Sequence, residues 1–384
     1  MYLMGQKYKK TDKTFGHTNK NTIFVAIKKH LKMKYRLFIL VFILFISFFF
    51  SCTTDVDLYA EYKDEGIVYA MLDPRADTNY VKITRAFCGT NDNQINANEV
   101  ALIADSSNYP GKLDARIIEL ISTHGGPYEP TGRVIVLDTI TLHNKEEGTF
   151  YAPDQCFYYT TEPIHAGEGR NRYKYRLRVM KPNGDSLTAT TDIVGNEEFA
   201  IMTGGVSFRH APTYATEKIL FMADGNASLY EVTMQFNYRE QKAGQEMKQK
   251  TVSRSFGPRT LIEYIQLVGS DNCYYLEYSV NWLFIALTDA IGGDTIHDAN
   301  HPDVTRYIDD FVITISAAGD ELTNYYLAHE AQANSPVSLI SNYTNIEGGY
   351  GLFSSRVKIE RSVYISANTR KELFGISSWG FKEQ

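Results

Sequence analysis

Five residues in one short stretch, GGDTIHDANHPD, have metal-binding side chains: Asp294, His297, Asp298, His301 and Asp303. His297 and His301 are four apart, which on a helix would place both on one face. Pro302 disfavours helical geometry at His301, and Gly292-Gly293 is expected to end the preceding helix, so the stretch reads as an acidic loop. No Glu follows His297 to act as the base of a zincin. The candidate ligands of a metal are Asp294, His297, Asp298 and His301, with calcium on the carboxylates fitting as well as zinc. Other chemistry-bearing patterns each break at a defined residue. AHEAQA has His329-Glu330, but Ala333 stands where a second zincin histidine belongs. AGEGRNR has two glycines of a dinucleotide fingerprint, with Arg172 in place of the third, and it precedes a strand, so it is a turn. NDNQINANE lacks the glycine and spaced terminal carboxylate of a calcium loop, and loop asparagines usually serve turns. There is no nucleophile elbow, P-loop or kinase motif set, so no cofactor is expected and no familiar enzyme is indicated.

The elements that would position such groups are mostly strands. In IVYAMLDPRADTNYVKITRAF, Tyr80, Lys82 and Thr84 alternate with Val81, Ile83 and Arg85, the period of a strand with two unlike faces, and an Asp-Pro turn separates it from the strand before. Glu99 to Ala104 is expected to form a short helix. LDARIIELIST, RVIVLDTITLHN and RYKYRLRVMKPNGDSLTATTDIV follow, the last with a hairpin signal at Asn183-Gly184. Short strands with turn punctuation predict an antiparallel β-sandwich over 67–196. After GNEEFAIMTGG the pattern changes. EKILFMADGNASLYEVTMQFNYREQKAGQEMKQKTVSRSF predicts strands with a long polar hairpin tip around Lys242 to Gln249. RTLIEYIQLVG and CYYLEYSVNWLFIALTDAIGG read as helical, with Gly292-Gly293 as the stop of the second. DDFVITISAAG reads as a strand, and DELTNYYLAHEAQA as a helix with Asp320 as its N-cap. The chain is therefore expected to be mainly β, a sandwich followed by an α+β domain over 205–384 in which a few helices cover a sheet. The tyrosines of YYLEY and NYYLAHE would suit a sugar or peptide, but half-buried tyrosine with a wet hydroxyl explains them as well.

The stretch RLFILVFILFISFFFSCTTDVDL fixes an address. Its apolar run from Leu37 to Phe50 is 14 residues long, roughly 21 Å as a helix. A bilayer core is about 30 Å thick, so the run suits the h-region of a signal peptide rather than a span. Lys34 and Arg36 supply the positive n-region. The closing Phe49-Phe50-Ser51-Cys52 resembles a bacterial lipobox, although Phe49 and Phe50 stand where Leu and a small residue are usual. The resemblance implies diacylglycerol on the Cys52 sulfur and cleavage before it, giving a tether to the membrane by several acyl chains. Met33 begins a complete signal peptide over 33–51. Residues 1–32 then read as an extension that is not native to the protein, or alternatively as a long n-region. Residues 52–66 read as a polar tether.

Ten of the 39 Lys/Arg and one of the 45 Asp/Glu precede Cys52, leaving 29 bases against 44 acids in the rest. A body this acidic repels nucleic acid, which needs clustered Lys and Arg. Cys88, Cys156 and Cys273 are isolated and odd in number, so at most one intramolecular disulfide is possible and its pairing is open. Asp138-Thr139-Ile140, Asp185-Ser186-Leu187 and Asp294-Thr295-Ile296 resemble a short O-glycan acceptor motif of Bacteroidota envelope proteins.

Near the C-terminus, Asn345-Ile346-Glu347-Gly348-Gly349-x-Gly351-x-Phe353 resembles the closing motif of Bacteroidota outer-membrane lipoproteins of unknown function. SCTTDVDLYAEYKDEGIVYAMLDP and ADSSNYP are similar to them too. That resemblance implies an immunoglobulin-like N-terminal sandwich, an outer-membrane location and a TonB-dependent transporter as partner; it brings no catalytic residues. The expected function is a non-enzymatic binding or accessory module. The alternatives are a hydrolase of envelope or polysaccharide material, whose paired carboxylates leave no spacing signature, and a structural envelope subunit. Asp55 and Asp57 form only a weak acidic export signal, so the side of the membrane is open. The glycines at 348, 349 and 351 fit a turn needing positive φ, with Leu352 and Phe353 re-entering a core.

Overall fold

The computed structural model describes residues 64–86, 97–103, 106–148, 151, 154–211, 215–242, 244–295, 304–333 and 343–383. The expected extension, signal peptide, Cys52 and nearly all of the tether lie outside them, as do Cys88, His297, Asp298, His301 and Asp303. Strand β1 (Gly66–Leu72) begins on the last residue of the expected tether. It pairs antiparallel with β2 (Asn79–Arg85). The Asn79 side chain closes the connecting turn, accepting from Asp73 N at 2.7 Å and donating to Asp73 O at 3.1 Å.

A five-residue helix, α1 (Ala97–Ala101), precedes β3 (Asp114–Ser122) and β4 (Glu129–Val136). The RVIVLDTITLHN segment crosses between sheets at buried Leu137: β4 pairs with β3, whereas β5 (Asp138–Leu142) pairs with β6 (Gln155–Thr160). Strands β7 (Arg172–Met180) and β8 (Ser186–Asp192) form the Asn183-Gly184 hairpin, where Gly184 has φ +90°. The order β4-β3-β7-β8 makes one four-stranded sheet. Its apolar face, Ile117, Ile135, Leu177 and Leu187, shares a core with Val68, Leu72 and Val81 of the facing sheet. This is the sandwich that alternation predicts.

Short strands β9 (Ala200–Ile201) and β10 (Gly205–Val206) lead into β11 (Thr216–Met222), β12 (Leu229–Lys242) and β13 (Lys248–Thr260). Here the helical reading of RTLIEYIQLVG is overturned. The segment is the end of β13, one 3-10 turn at Leu261–Glu263 and β14 (Ile265–Gln266). Only Tyr264, buried, and Leu261, half-buried, reach the core, while Ile262 is 92% and Val268 99% exposed, so no apolar face runs along the segment. The next segment is half strand: β15 (Cys273–Ser279) pairs along the whole of β11, and α2 (Trp282–Thr295) follows. Gly292-Gly293 does not stop α2. A glycine costs about 1 kcal/mol in a helix interior, less than the burial of Leu283, Phe284, Leu287 and Ile291 contributes.

Strand β16 (Val304–Ala318), helix α3 (Asp320–Ala333), strand β17 (Gly349–Ile365), helix α4 (Ala367–Gly375) and β18 (Phe381–Lys382) complete the chain. Asp320 is the first residue of α3 rather than its N-cap: the Gly319 carbonyl accepts from Thr323 N, and the buried Ser354 hydroxyl takes the Leu322 N–H at 3.1 Å. The Asp320 carboxylate accepts from the Ser228 hydroxyl instead.

Strand β17 joins the halves. The long sheet runs β13-β12-β16-β17-β1-β2-β6-β5, with β10 on β17 and β18 on β16. The β1–β17 pairing is parallel, so the sheet is mixed. Two cores divide near Val194, and β17 serves both: Phe353 lies in the first, while Val357, Ile359, Val363 and Ile365 lie in the second with Phe221, Tyr230, Phe236, Phe284 and Phe311. The expected parts 67–196 and 205–384 thus share a continuous sheet.

The closing motif is the weld. Asn345 donates to Phe353 O at 2.7 Å and accepts from Phe353 N at 2.9 Å. Glu347 exchanges both backbone hydrogen bonds with Thr188 of β8. Gly348 at the turn and Gly351 inside β17 have φ +80° and +115°, the positive values expected of them. Gly349 does not; it is needed because a Cβ there would lie 2.4 Å from Gly66 O. Among the described residues no helix is long and apolar enough to cross a membrane.

Candidate functional site

Alternation in β1 and β2 sends Val68, Ala70, Val81 and Ile83 into the sandwich core and Ile67, Tyr69, Tyr80, Lys82 and Thr84 to the opposite face. On that outer face lies a hollow of about 610 Å³, within the range of small-molecule sites. Ile67, Tyr69, Lys82, Thr84 and Gln155 form its floor. Arg85, Asn108, Lys145, Tyr151 and Asp154 form its rim, supplied by the end of β2, the segment after α1 and the β5–β6 connection.

The Lys82 ammonium donates to Cys156 O at 3.0 Å and sits 4.6 Å from the Phe157 ring centroid. Burial lowers its pKa. Lys145 holds the rim by donating to Tyr151 O at 2.7 Å. Asp154 lies 2.6 Å from His143 Nδ1. Beside the hollow the same face continues as rings: Tyr80 packs edge-on to Phe157 at 6.1 Å and lies 6.5 Å from Tyr159. Tyr69, Tyr80 and Tyr350 are each more than 40% exposed. Burial, then the neighbouring Tyr325 hydroxyl of α3, raises the Tyr69 pKa. The arrangement is a cationic floor and rim with aromatic platforms.

No protein-family model matches this chain, and no curated protein matches it.

A second polar cluster lies in the other sheet. Glu119, 3% exposed, takes Tyr175 Oη at 2.6 Å, Thr131 Oγ1 at 3.0 Å, Arg133 at 3.0 Å and His165 Nδ1 at 2.8 Å. Burial alone would raise this carboxyl; the hydrogen bonds from Tyr175, Thr131 and Arg133, with the His165 charge, outweigh it and hold the pKa below the ordinary value. A carboxylate so fully occupied is a weak base, and its role is to bind β3, β4 and β7 together.

Glu321, in the first turn of α3, behaves oppositely. Burial raises its pKa, and Asp192 and Asp320 add to this against the hydrogen bonds from its own backbone N–H and from Thr191. Its protonated form is favoured by folding, so its contribution is present at low pH and lost as pH rises through the folded pKa. Glu321→Gln, which keeps an acceptor for Thr191, is expected to raise the denaturant midpoint at pH 7. The gain should shrink as pH falls through the carboxylate range; a gain unchanged at pH 3.5 would contradict this origin.

Of the candidate metal ligands, Asp294 is described only as a helical residue in the last turn of α2; His297, Asp298 and His301 lie outside the described residues. Among the described residues no three His, Cys, Asp or Glu are grouped to hold a metal. Cys156 and Cys273 are free thiols on different sheets. In YYLEY, Tyr278 is core and Tyr275 stacks under Lys218 at 3.9 Å. The exposed tyrosines that matter, Tyr69, Tyr80 and Tyr350, carried a signal only in the strand alternation. Nothing in the sequence marks Lys145 or Tyr151 as their neighbours.

Proposed function

We propose that the protein is a lipid-anchored, non-enzymatic binding or accessory module of the bacterial outer membrane, with the outer face of β1, β2 and β6 as its ligand-contacting surface. The hollow carries this reading: it sets Tyr69 among Lys82, Arg85 and Lys145, and its described lining holds one carboxylate, whereas glycoside hydrolysis commonly takes two. The likeness to Bacteroidota lipoproteins, with their immunoglobulin-like sandwich, rests on the sequence of the β1 region and the closing motif, two segments that pair in parallel here. A TonB-dependent transporter is the partner this reading names.

The tether is tested by Cys52→Ala. Wild-type protein should fractionate with membranes as a species beginning at Cys52, heavier than its peptide mass by the acyl groups. The variant should lose the acyl mass and the cleavage. Retention of the variant in membranes at the processed size would overturn the lipid anchor. Recovery of a large β-barrel protein on purification from detergent-solubilised membranes supports the accessory role, and repeated recovery alone counts against it.

A further inference from the structure

The hollow on the outer face of β1, β2 and β6 has a charge opposite to that of the chain around it. From Cys52 onward the protein has 15 more acids than bases, yet Lys82, Arg85 and Lys145 surround this hollow with Asp154 as the one acid in its described lining. Asp154 is itself paired with His143. At physiological salt, charge is screened beyond about 8 Å, so an anion inside the hollow is acted on more by the three cations lining it than by acids elsewhere on the protein. The floor adds ring faces: Tyr69 within it, and Tyr80, Phe157 and Tyr159 continuing beyond Lys82.

The hydrogen bonding of the floor separates ligand classes. β1 is paired on both sides, by β17 and β2, and β2 by β1 and β6. An extended peptide has no free strand edge to add to here, which removes the main-chain recognition that gives peptide grooves much of their affinity. A saccharide needs no such edge. The C–H face of a pyranose packs flat on a tyrosine or phenylalanine ring, and a ring carboxylate meets the ammonium or guanidinium beside it.

We propose that this hollow binds an acidic saccharide, a uronate-bearing pyranose chain, with Lys82, Arg85 and Lys145 taking the carboxylates and Tyr69 and Tyr80 taking the sugar faces. The proposal rests on the reading of this face as a ligand surface and adds the ligand's chemistry.

Detergent-solubilised full-length protein is titrated with tetragalacturonate and, in parallel, with neutral maltotetraose, poly-glutamate of similar charge, and glycerol phosphate as the soluble headgroup of an anionic lipid. Tetragalacturonate is expected to bind at least ten-fold tighter than maltotetraose and poly-glutamate, and to weaken several-fold between 50 and 500 mM NaCl. Lys82→Met should weaken it at least ten-fold. Thr84→Trp, which fills the floor without changing charge, should do the same, so the test survives if one variant fails to fold. Equal binding of maltotetraose, tighter binding of poly-glutamate or glycerol phosphate, or tetragalacturonate binding indifferent to both folded variants would each overturn the assignment. If tetragalacturonate fails to bind while the Cys52→Ala and transporter results hold, the ligand class falls and the tethered accessory module stands.

Discussion

Gly351→Ala is expected to destabilise the protein by about 4 kcal/mol or more, the rare upper end for a single substitution. Two costs add. Gly351 has φ +115°, a region where an L side chain costs on the order of 1–3 kcal/mol. An added Cβ would also lie 1.9 Å from Val68 O and 2.8 Å from the carbonyl carbon behind it. Those atoms are backbone in the middle of β1, so relief means separating β1 from β17. That pairing joins the sandwich to the rest of the long sheet, and Leu352 and Phe353, both essentially buried, would lose part of their packing with it. Gly125→Ala supplies the comparison: φ is +77° there, and nothing lies within 4 Å of the added carbon. It should cost only about 1 kcal/mol, and the difference between the variants measures the collision. Equal losses in urea denaturation would show that the close approach is unimportant.

Replacing Glu119 with Ala should cost about 3–5 kcal/mol, the range for removing one partner of a buried ionic cluster. The Tyr175 hydroxyl, on a fully buried side chain, loses its acceptor, and Arg133, its side chain 24% exposed, loses its buried counter-charge. Glu119→Gln keeps an acceptor oxygen and should cost less. The pH dependence has a definite sign. Because the folded pKa lies below the ordinary value, the carboxylate's contribution is complete above the unfolded pKa and disappears as pH falls through the folded one. Wild type should therefore lose stability on acidification below about pH 4.5, and Glu119→Ala should lose less over the same interval. Parallel curves for the two proteins would mean that the acid sensitivity arises elsewhere. This measurement is separable from Glu321→Gln by sign: both effects shrink on acidification, but that of Glu119→Ala is a loss of stability and that of Glu321→Gln a gain.

Much of the local structure was legible. The β1–β2 pair, the Asn183-Gly184 hairpin, the polar tip between β12 and β13, and helix α3 all lie where alternation, turn residues and amphipathic spacing place them. The misread segments share one cause. RTLIEYIQLVG has the apolar content of a helix face, but a 3.6-residue period has meaning only if a core runs along that side, and here only Leu261 and Tyr264 reach one. CYYLEYS reads as the first half of a helix because its tyrosines suit either period; pairing with β11 along seven residues decides for a strand. Asp320 missed the cap by one position because a serine from β17, thirty residues and more away in sequence, reached the helix end first.

The candidate site was half visible. The outward set Tyr80, Lys82 and Thr84 follows from the period of two, and the glycine motif was readable as structural because positive φ and close backbone approach are written in residue type. That β17 inserts between β16 and β1, that Lys145 and Tyr151 arrive at the rim of the same hollow, and that four donors converge on Glu119 were decided only by the tertiary structure. Residue type and spacing act over a few neighbours, where sterics and burial leave a repeating trace. Which strand becomes a neighbour depends on contacts between segments as much as hundreds of residues apart, and many apolar strands would have fitted the same place.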